Sequence, residues 1–188
     1  MKKHDRVRKM MKIAILRIGT VDKDAIDEIK SGLCETFPKA DCVILRNVMP
    51  IPQDAYNASR RQYFSSKVLA KMHNYIDKSD VNRVLGVTEM DLYVPGLNFV
   101  FGEAQCPGTM AIISLCRLKP EFYGHPADRK LFIERSRKEA VHEVGHTLGL
   151  RHCANPVCIM FFSNNIQMTD MKKLKFCEKC WPKVLRKI

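Results

Sequence analysis

The segment HEVGHTLGLRHC, residues 142–153, decides the fold class and holds three of the chain's six histidines. His142 and His146 are four residues apart, so on a helix both imidazoles lie on one face, about one turn apart. The opposite side of that helix carries three apolar residues, Ala140, Val144 and Leu148. The segment therefore predicts a helix whose apolar side lies in the core and whose histidines face a cleft.

A glycine and a third histidine extend this motif. Gly149 lies seven residues after His142, where a residue without Cβ allows the backbone to leave the helix in a left-handed turn. That turn brings His152 round as a third ligand. Three neutral imidazoles leave one open tetrahedral position on Zn²⁺, which distinguishes a catalytic site from a closed structural one. A bare HExxH pattern also occurs on solvated helix faces, and Gly149 with His152 favours the metal site.

Glu143 adjoins the first histidine but points about 100° away from it around the helix. Its carboxylate is thus expected to reach a water on the metal rather than the metal itself. Zinc lowers the pKa of such a water to about 7, and a carboxylate at that place accepts its proton while the hydroxide attacks a carbonyl. Glu143 is the predicted general base.

Four of the eight cysteines, Cys153, Cys158, Cys177 and Cys180, fall within 28 residues. Two close pairs with a short connection predict a closed structural zinc site that staples a small C-terminal subdomain. His152 and Cys153 would then bind different metals, which couples folding of the subdomain to placement of the last histidine. Disulfides are the alternative. The other cysteines are expected to be mostly buried small apolar residues: Cys34, Cys42, Cys106 and Cys116.

The length and composition predict one globular domain with an appended subdomain. The chain has 188 residues, of which 46% are hydrophobic and 28% charged, and no run approaches a membrane span. We expect a core over residues 1–152 and a subdomain over residues 153–188. The first apolar segment is short and interrupted by Arg17, so we expect no export signal and a cytoplasmic location, where clustered thiols usually bind metals.

The net charge of +12 raises a nucleic-acid hypothesis. Most of that charge sits at the ends, because residues 1–12 carry six Lys/Arg with one acid and residues 166–188 carry seven with two acids. Four thiolates on one Zn²⁺ would add about −2 near the C-terminus. A solvated basic face is the commoner meaning of such ends, so a nucleic-acid or membrane partner is the disfavoured alternative.

The pattern along the chain is typical of a mixed α/β protein. Residues 12–19 and 41–48 are nearly continuous apolar runs, as in strands covered on both faces, and an amphipathic helix between them completes a parallel βαβ unit. A second helix over about 64–76 follows a capping-box spacing at Ser59 and Gln62. Further strands are predicted at 83–92, 98–104 and 108–118, and the histidine helix at about 128–149.

The histidine motif, Cys158, Met160 and the Cys177-x-x-Cys180 pair together resemble the archaemetzincins, a family of metzincin zinc metallopeptidases. RRQYFSSKVL and VLGVTEMDLYVPGLNFVFGEA look similar to that family as well, so the resemblance covers nearly the whole chain. It implies a twisted, mixed, mostly parallel sheet with two backing helices, an active-site helix and a small C-terminal four-cysteine zinc subdomain.

The resemblance also implies roles for individual residues. It places a catalytic zinc on His142, His146 and His152 with Glu143 as base, and a second zinc on the four clustered cysteines, which makes two Zn²⁺ per chain. Met160 matches the family's Met-turn, a methionine beneath the ligands. Some metzincins carry tyrosine two residues later, where this chain has Phe162. An antiparallel edge strand of this fold binds extended substrate, and residues 109–116 are our candidate.

The predicted function is hydrolysis of peptide bonds by metal-activated water, performed by a monomer on peptide or protein substrates. One alternative is a zinc-stabilised binding module with a vestigial or inhibited site and basic ends that contact nucleic acid. Another is a zinc hydrolase for non-peptide amides. Glu143 favours the enzymatic hypotheses, since a purely structural metal needs no base beside its ligand.

Overall fold

A computed structural model of the chain describes residues 10–77 and 80–188. Its strands, in chain order, are β1 (Met11–Ile18), β2 (Ala40–Met49), β3 (Tyr56–Asn57), β4 (Gln62–Phe64), β5 (Arg83–Thr88), β6 (Leu92–Tyr93), β7 (Gly102–Ala104) and β8 (Met110–Ser114). Its α-helices are α1 (Lys23–Thr36), α2 (Ser65–Tyr75), α3 (Arg129–Thr147), α4 (Ile166–Met171) and α5 (Trp181–Leu185).

The main sheet has the order β2-β1-β5-β8-β7, and its first four strands are parallel. The predicted βαβ unit is confirmed as β1, α1 and β2. Only β7 runs antiparallel, paired with β8 at the edge of the sheet. A second, small sheet joins β3, β4 and β6. The mixed, mostly parallel fold class is therefore confirmed.

Side chains of the central strands alternate between two hydrophobic clusters, as the period of two requires. On one face Ile13, Leu85 and Ile113 pack with α1 and α3. On the other face Leu16 and Ile112 pack with α2. Because the sheet is covered on both sides, its central strands contain nearly continuous apolar runs. This layering packs α3 against the sheet, where it contacts β8 and β7.

The candidate substrate strand at residues 109–116 was placed wrongly. β8 occupies its centre and is an interior strand, because β5 pairs with one side of it and β7 with the other. All five residues of β8 are buried. The edge strand is β7, which lies within the predicted strand at 98–104. The continuous apolar run of β8 is what an interior strand requires.

The start of the second helix also differs from the prediction. Residues 62–64 form β4, and α2 begins at Ser65 without a side-chain cap. Gln62 donates instead to Asp91 and to the carbonyl of Asn98, at 3.0 Å in each case. Ser59 therefore does not cap α2. The spacing that suggested a capping box arises from a strand and its network of contacts.

Two of the four cysteines outside the cluster lie where the prediction did not expect them. Cys42 is buried, but Cys34 on α1 and Cys106 after β7 are exposed, and Cys116 is intermediate. Cys34 lies on the outward side of α1, and Cys106 lies in a loop from which its thiol reaches the carbonyl of Leu150 at 3.4 Å. All eight cysteines are free thiols.

The chain after α3 packs on the same core as the sheet. Ile159, Ile166, Phe176 and Val184 belong to the hydrophobic cluster between the sheet and α3. None of the helices in residues 10–77 and 80–188 has the combination of length and hydropathy needed to span a membrane. The basic residues 1–9, which supply much of the predicted N-terminal charge, lie outside the described residues.

Candidate active site

Helix α3 carries the predicted site residues into the floor of a cleft. It starts where the sequence predicts, since the side chain of Asp128 accepts from the backbone N–H of Leu131 as N-cap. Near its C-terminal end, His142 and Glu143 are each 4% exposed. The helix thus presents titratable groups from inside the protein, and burial controls their chemistry.

The three histidines converge on a common point. His142 Nε2 lies 3.0 Å from His146 Nε2, and the ring centroids of His152 lie 5.5 and 4.8 Å from those of His142 and His146. One ring nitrogen of each histidine lies within 4.8 Å of the others. The structure therefore brings together the three residues that the sequence singled out, with His152 the most exposed of them.

Backbone carbonyls orient two of these rings. His142 Nδ1 lies 2.7 Å from the carbonyl oxygen of Ile159, and His146 Nδ1 lies 2.7 Å from that of Leu150. Since a carbonyl only accepts, each Nδ1 carries the proton and each Nε2 keeps its lone pair. Two lone pairs facing each other at 3.0 Å repel unless a cation lies between them. The three histidine nitrogens could therefore hold a metal ion.

Desolvation favours the neutral form of each of the three rings. Desolvation, with the charge of Lys172 next, lowers the pKa of His142 well below its ordinary 6.5. Desolvation also lowers the pKa of His146 and of His152. A neutral imidazole is the form that binds a metal, because protonation removes the lone pair. The site is therefore prepared to bind a metal at neutral pH.

The glycine turn places His152 as the sequence predicts. Gly149 has a φ of +87°, in the left-handed region, and its N–H donates to the carbonyl of His146 at 2.8 Å. Leu150 N–H donates back to Gly145 at 3.3 Å. These bonds end α3 and reverse the chain within a few residues. Any residue with a Cβ at this position would be strained.

Met160 packs against the part of α3 that carries His142 and His146. Its side chain is fully buried, and its carbonyl accepts from the N–H of Cys153 at 2.9 Å. A Cβ built at Gly145 would lie 2.5 Å from the Met160 sulfur, so only glycine allows α3 to approach this methionine. The position of Met160 agrees with the Met-turn implied by the resemblance. Gly145 was missed, although a glycine inside a helix is a recognisable signal.

Glu143 lies among charged groups. Burial, and then the carboxylate of Glu139, raises the pKa of Glu143 well above its ordinary 4.5, whereas Lys172 lowers it and Glu103 raises it. A carboxylate oxygen of Glu139 and one of Glu143 lie within 4.8 Å of each other and of a His142 nitrogen. Glu143 is therefore a carboxylate made more basic than usual, beside the three histidines.

The cleft in front of these groups has a volume of about 550 Å³. Glu139, His142 and Glu143 line its floor, and β7 lines one side. Apolar side chains form much of the remaining wall, namely Val94, Leu97, Phe99, Phe101 and Phe162, and polar Arg151, Ser163 and Asn164 also line it. The Phe162 ring centroid lies 4.9 Å from that of His152, so an aromatic ring without a phenol occupies this position.

The four clustered cysteines form a second convergent group. Their sulfurs all lie within 4.8 Å of one another, with Cys153 Sγ 3.7 Å from Cys177 Sγ. Burial opposes the thiolate form of Cys177, but backbone N–H groups of Cys180 and Lys179 bring its pKa down to about 7. Cys158 and Cys180 are buried. Four thiols at these distances have the donor set of a closed tetrahedral zinc site.

Comparison with known proteins agrees with this geometry. The model of peptidase family M54 matches residues 5–186. The chain belongs to this family. An archaemetzincin of Methanocaldococcus jannaschii is 43% identical over 93% of each chain, and one of Pyrococcus abyssi is 44% identical over 92% of this chain and 93% of that one. The M54 chain is thus a zinc metallopeptidase, a hydrolase of the archaemetzincin family.

Solved structures lead to the same family. The archaemetzincin of Methanopyrus kandleri superposes with a TM-score of 0.81 at 34% identity, covering 94% of each chain. That of Archaeoglobus fulgidus, complexed with malonate, gives 0.79 at 40% identity, covering 92% of this chain and 99% of that one. These similarities confirm both the family resemblance and the fold predicted from the sequence. As a peptidase, this M54 protein acts on peptides or proteins.

Several residues of this M54 site were not found from the sequence. Glu139 and Lys172 meet across 33 residues, and Lys172 had been counted among solvated basic residues. Glu103 accepts from the hydroxyls of Ser65 and Ser66, which ties β7 to α2. No local pattern marks such long-range pairs. Of the missed residues, only Gly145 could have been found from the sequence, because a glycine inside a helix is unusual.

Proposed function

We propose that this chain hydrolyses peptide bonds with one zinc on His142, His146 and His152 and with Glu143 as general base. The observation that carries the proposal is the pair of Nε2 lone pairs 3.0 Å apart beside a buried carboxylate. Three neutral imidazoles match the donor set of catalytic zinc, and the rings of His142 and His146 both have the Nδ1–H···carbonyl contact typical of metal-binding histidine. Zinc, when bound, acidifies water and polarises a carbonyl.

Glu143 moves the proton. Its carboxylate accepts a proton from the attacking water and delivers it to the departing amine nitrogen, so the proton crosses the scissile bond without reaching bulk solvent. The raised pKa of Glu143, caused first by burial, supports this role, because a base works best when its pKa lies near the operating pH. Phe162 offers no hydroxyl, so the proposal assigns no tyrosine to the oxyanion.

The substrate binds as an added strand on β7. This strand is one of the two edges of the main sheet and lines the cleft, so the N–H and C=O groups on its outer side would face an extended peptide. Main-chain pairing of this kind fixes the direction of the peptide and places one carbonyl above the histidines. The apolar wall, which includes Phe99 and Phe101, favours apolar side chains in the peptide.

The second zinc binds Cys153, Cys158, Cys177 and Cys180 and has a structural role. Four thiolates fill a tetrahedral coordination sphere and leave no position for substrate. We propose that residues 153–188 form a subdomain held by this ion on a core of residues 1–152. The eight free thiols support a reducing, cytoplasmic environment. We propose that the chain acts as a monomer without a nucleic-acid partner; burial of Lys172 removes one of the C-terminal cations from the surface that nucleic acid would contact.

The substitution Glu143→Ala tests the proposal. We expect turnover of a peptide library to fall by about 10²- to 10⁴-fold, with zinc per chain unchanged, because the base is lost but no ligand is. Glu134→Ala is the matched control, since Glu134 lies on the same helix with its side chain 53% exposed, and it should leave turnover unchanged. Retained turnover in Glu143→Ala would remove Glu143 from the mechanism.

A further inference from the structure

Lys172 and Glu139 form a buried ion pair beside the proposed general base. Lys172 follows α4 directly; its side chain is 0% exposed, and its Nζ lies 3.4 Å from Oε2 of Glu139, which is 5% exposed. Within the described residues this is the one hydrogen bond that the ammonium makes. Removing both charges from water costs more than one long contact offsets. Stability alone therefore does not account for this pair.

The location of the pair connects it to Glu143. Glu139 lies one helical turn before Glu143, with carboxylate oxygens of the two within 4.8 Å of each other, and both line the cleft. Two carboxylates at this distance repel in a poorly hydrated interior. A lysine ammonium bound to one of them offsets the repulsion.

Contacts between α4 and α3 fix the position of this lysine. Arg135 of α3 donates to both carboxylate oxygens of Asp170, each at 2.7 Å, and Lys138 Nζ donates to the Asp170 carbonyl at 3.0 Å. The Arg135 side chain is only 7% exposed, so its guanidinium group is held in one orientation. These contacts fasten α4 to α3 two residues before Lys172. The backbone at Lys172 therefore has little freedom relative to Glu139.

We propose that Lys172 is a positioning residue for the reaction: by pairing with Glu139 it keeps the Glu143 carboxylate directed at the histidine site. The proposal rests on the role of Glu143 given above. Without Lys172, Glu139 faces Glu143 uncompensated and pushes its carboxylate away. Without Glu139, Lys172 takes Glu143 as its partner and pulls it from the cleft. When both charges are absent, Glu143 is released from either force.

The test is a double-mutant cycle with Lys172→Met, Glu139→Gln and the variant carrying both, measured as kcat, KM, Tm and zinc per chain. We expect each single variant to lose about 10- to 100-fold in kcat, with KM and zinc content little changed. The double variant should recover most of the lost kcat. A merely structural pair would instead lower Tm in all three variants without recovery of kcat, and that result would overturn the proposal.

Three controls separate this effect from others. Arg129→Met removes a cation that joins α3 to Asp22 away from the cleft, and it should lower Tm but not kcat. If Lys172→Met does not fold, Glu139→Asp retracts the carboxylate while keeping both charges, and an unchanged kcat there overturns the proposal. Turnover retained in Glu143→Ala refutes the proposed function itself. If Glu143→Ala loses turnover but Lys172→Met and Glu139→Gln both keep it, only the role of Lys172 is refuted.

Discussion

A Cβ added at Gly102 would lie 2.6 Å from Cγ of Glu143 and 2.8 Å from its Oε1. The edge strand β7, on which we propose that substrate binds, and the proposed base are therefore in direct contact, with no side chain between them. The same Cβ would lie 2.7 Å from the carbonyl oxygen of Ile112, so the backbone of β8 prevents β7 from moving aside. Glycine is required at position 102 because a side chain there would clash with Glu143 in its present position.

Gly102→Ala should therefore impair catalysis. The methyl group displaces the Glu143 carboxylate or lifts β7, and a misplacement of about 1 Å at a reacting group costs about 10²-fold in rate. We expect kcat to fall by about that factor, measured by steady-state peptide cleavage. Gly124→Ala is the control. Gly124 has a φ of +77° and open space where a Cβ would lie, so alanine there strains the backbone without a steric clash and away from the cleft. Equal kcat in the two variants would contradict the steric role of Gly102.

Features that depend on local sequence were predictable from the sequence. The apolar runs of β1 and β2 follow from burial on both faces, and the offsets of His146 and Gly149 from His142 follow from helix geometry. The start of α3 at Asp128 follows from its capping side chain. In each case the physical cause acts within a few residues, so a single chain reveals it.

Features that depend on contacts between distant segments were not predictable. The pairing of Lys172 with Glu139 requires α4 to dock on α3, and Lys172 by itself resembles any solvated lysine. The order of β7 and β8 in the sheet depends on which of them pairs with β5. β7 lies within the strand predicted at 98–104, but nothing in its three residues shows that it is the antiparallel edge of the sheet. Such choices are made by tertiary packing.

Counting zinc should show two ions per chain that leave in a fixed order. The histidine site opens on the cleft through the exposed His152, whereas Cys158 and Cys180 are buried. Three ligands also hold zinc less tightly than four thiolates. We expect native mass spectrometry to show the loss of one zinc under mild chelation, together with activity but with little change in Tm. A first loss that lowers Tm sharply and leaves activity intact would contradict this order.

Asp22 should make stability depend on acidic pH. Hydrogen bonding to Arg129 lowers the pKa of Asp22 from 3.8 to about 2, and this pair joins the N-terminal ends of α1 and α3. Because the folded pKa is depressed, the stabilisation is present above pH 4 and is lost as pH falls from about 4 to about 2. We expect about 1 kcal/mol, reduced by solvent at this partly exposed site.

The variant Asp22→Asn isolates that effect, because asparagine still caps α1 at the N–H of Ala25. Urea unfolding of the variant and the wild type should differ by about 1 kcal/mol at pH 7 and converge near pH 2. Loss of zinc in acid affects both proteins alike and cancels in the difference. A constant difference across this range would show that the ion pair does not contribute.

Asp170→Asn should affect stability and catalysis together, because the bidentate contact with Arg135 fastens the helix that delivers Lys172. An almost buried guanidinium left without its carboxylate is expected to cost about 3 kcal/mol of unfolding free energy. If Lys172 acts through its place beside Glu139, kcat should also fall, by less than in Lys172→Met because the ammonium remains. Unfolding in urea and steady-state cleavage measure the two effects. A stable variant with unchanged kcat would mean that Asp170 does not hold Lys172 in place.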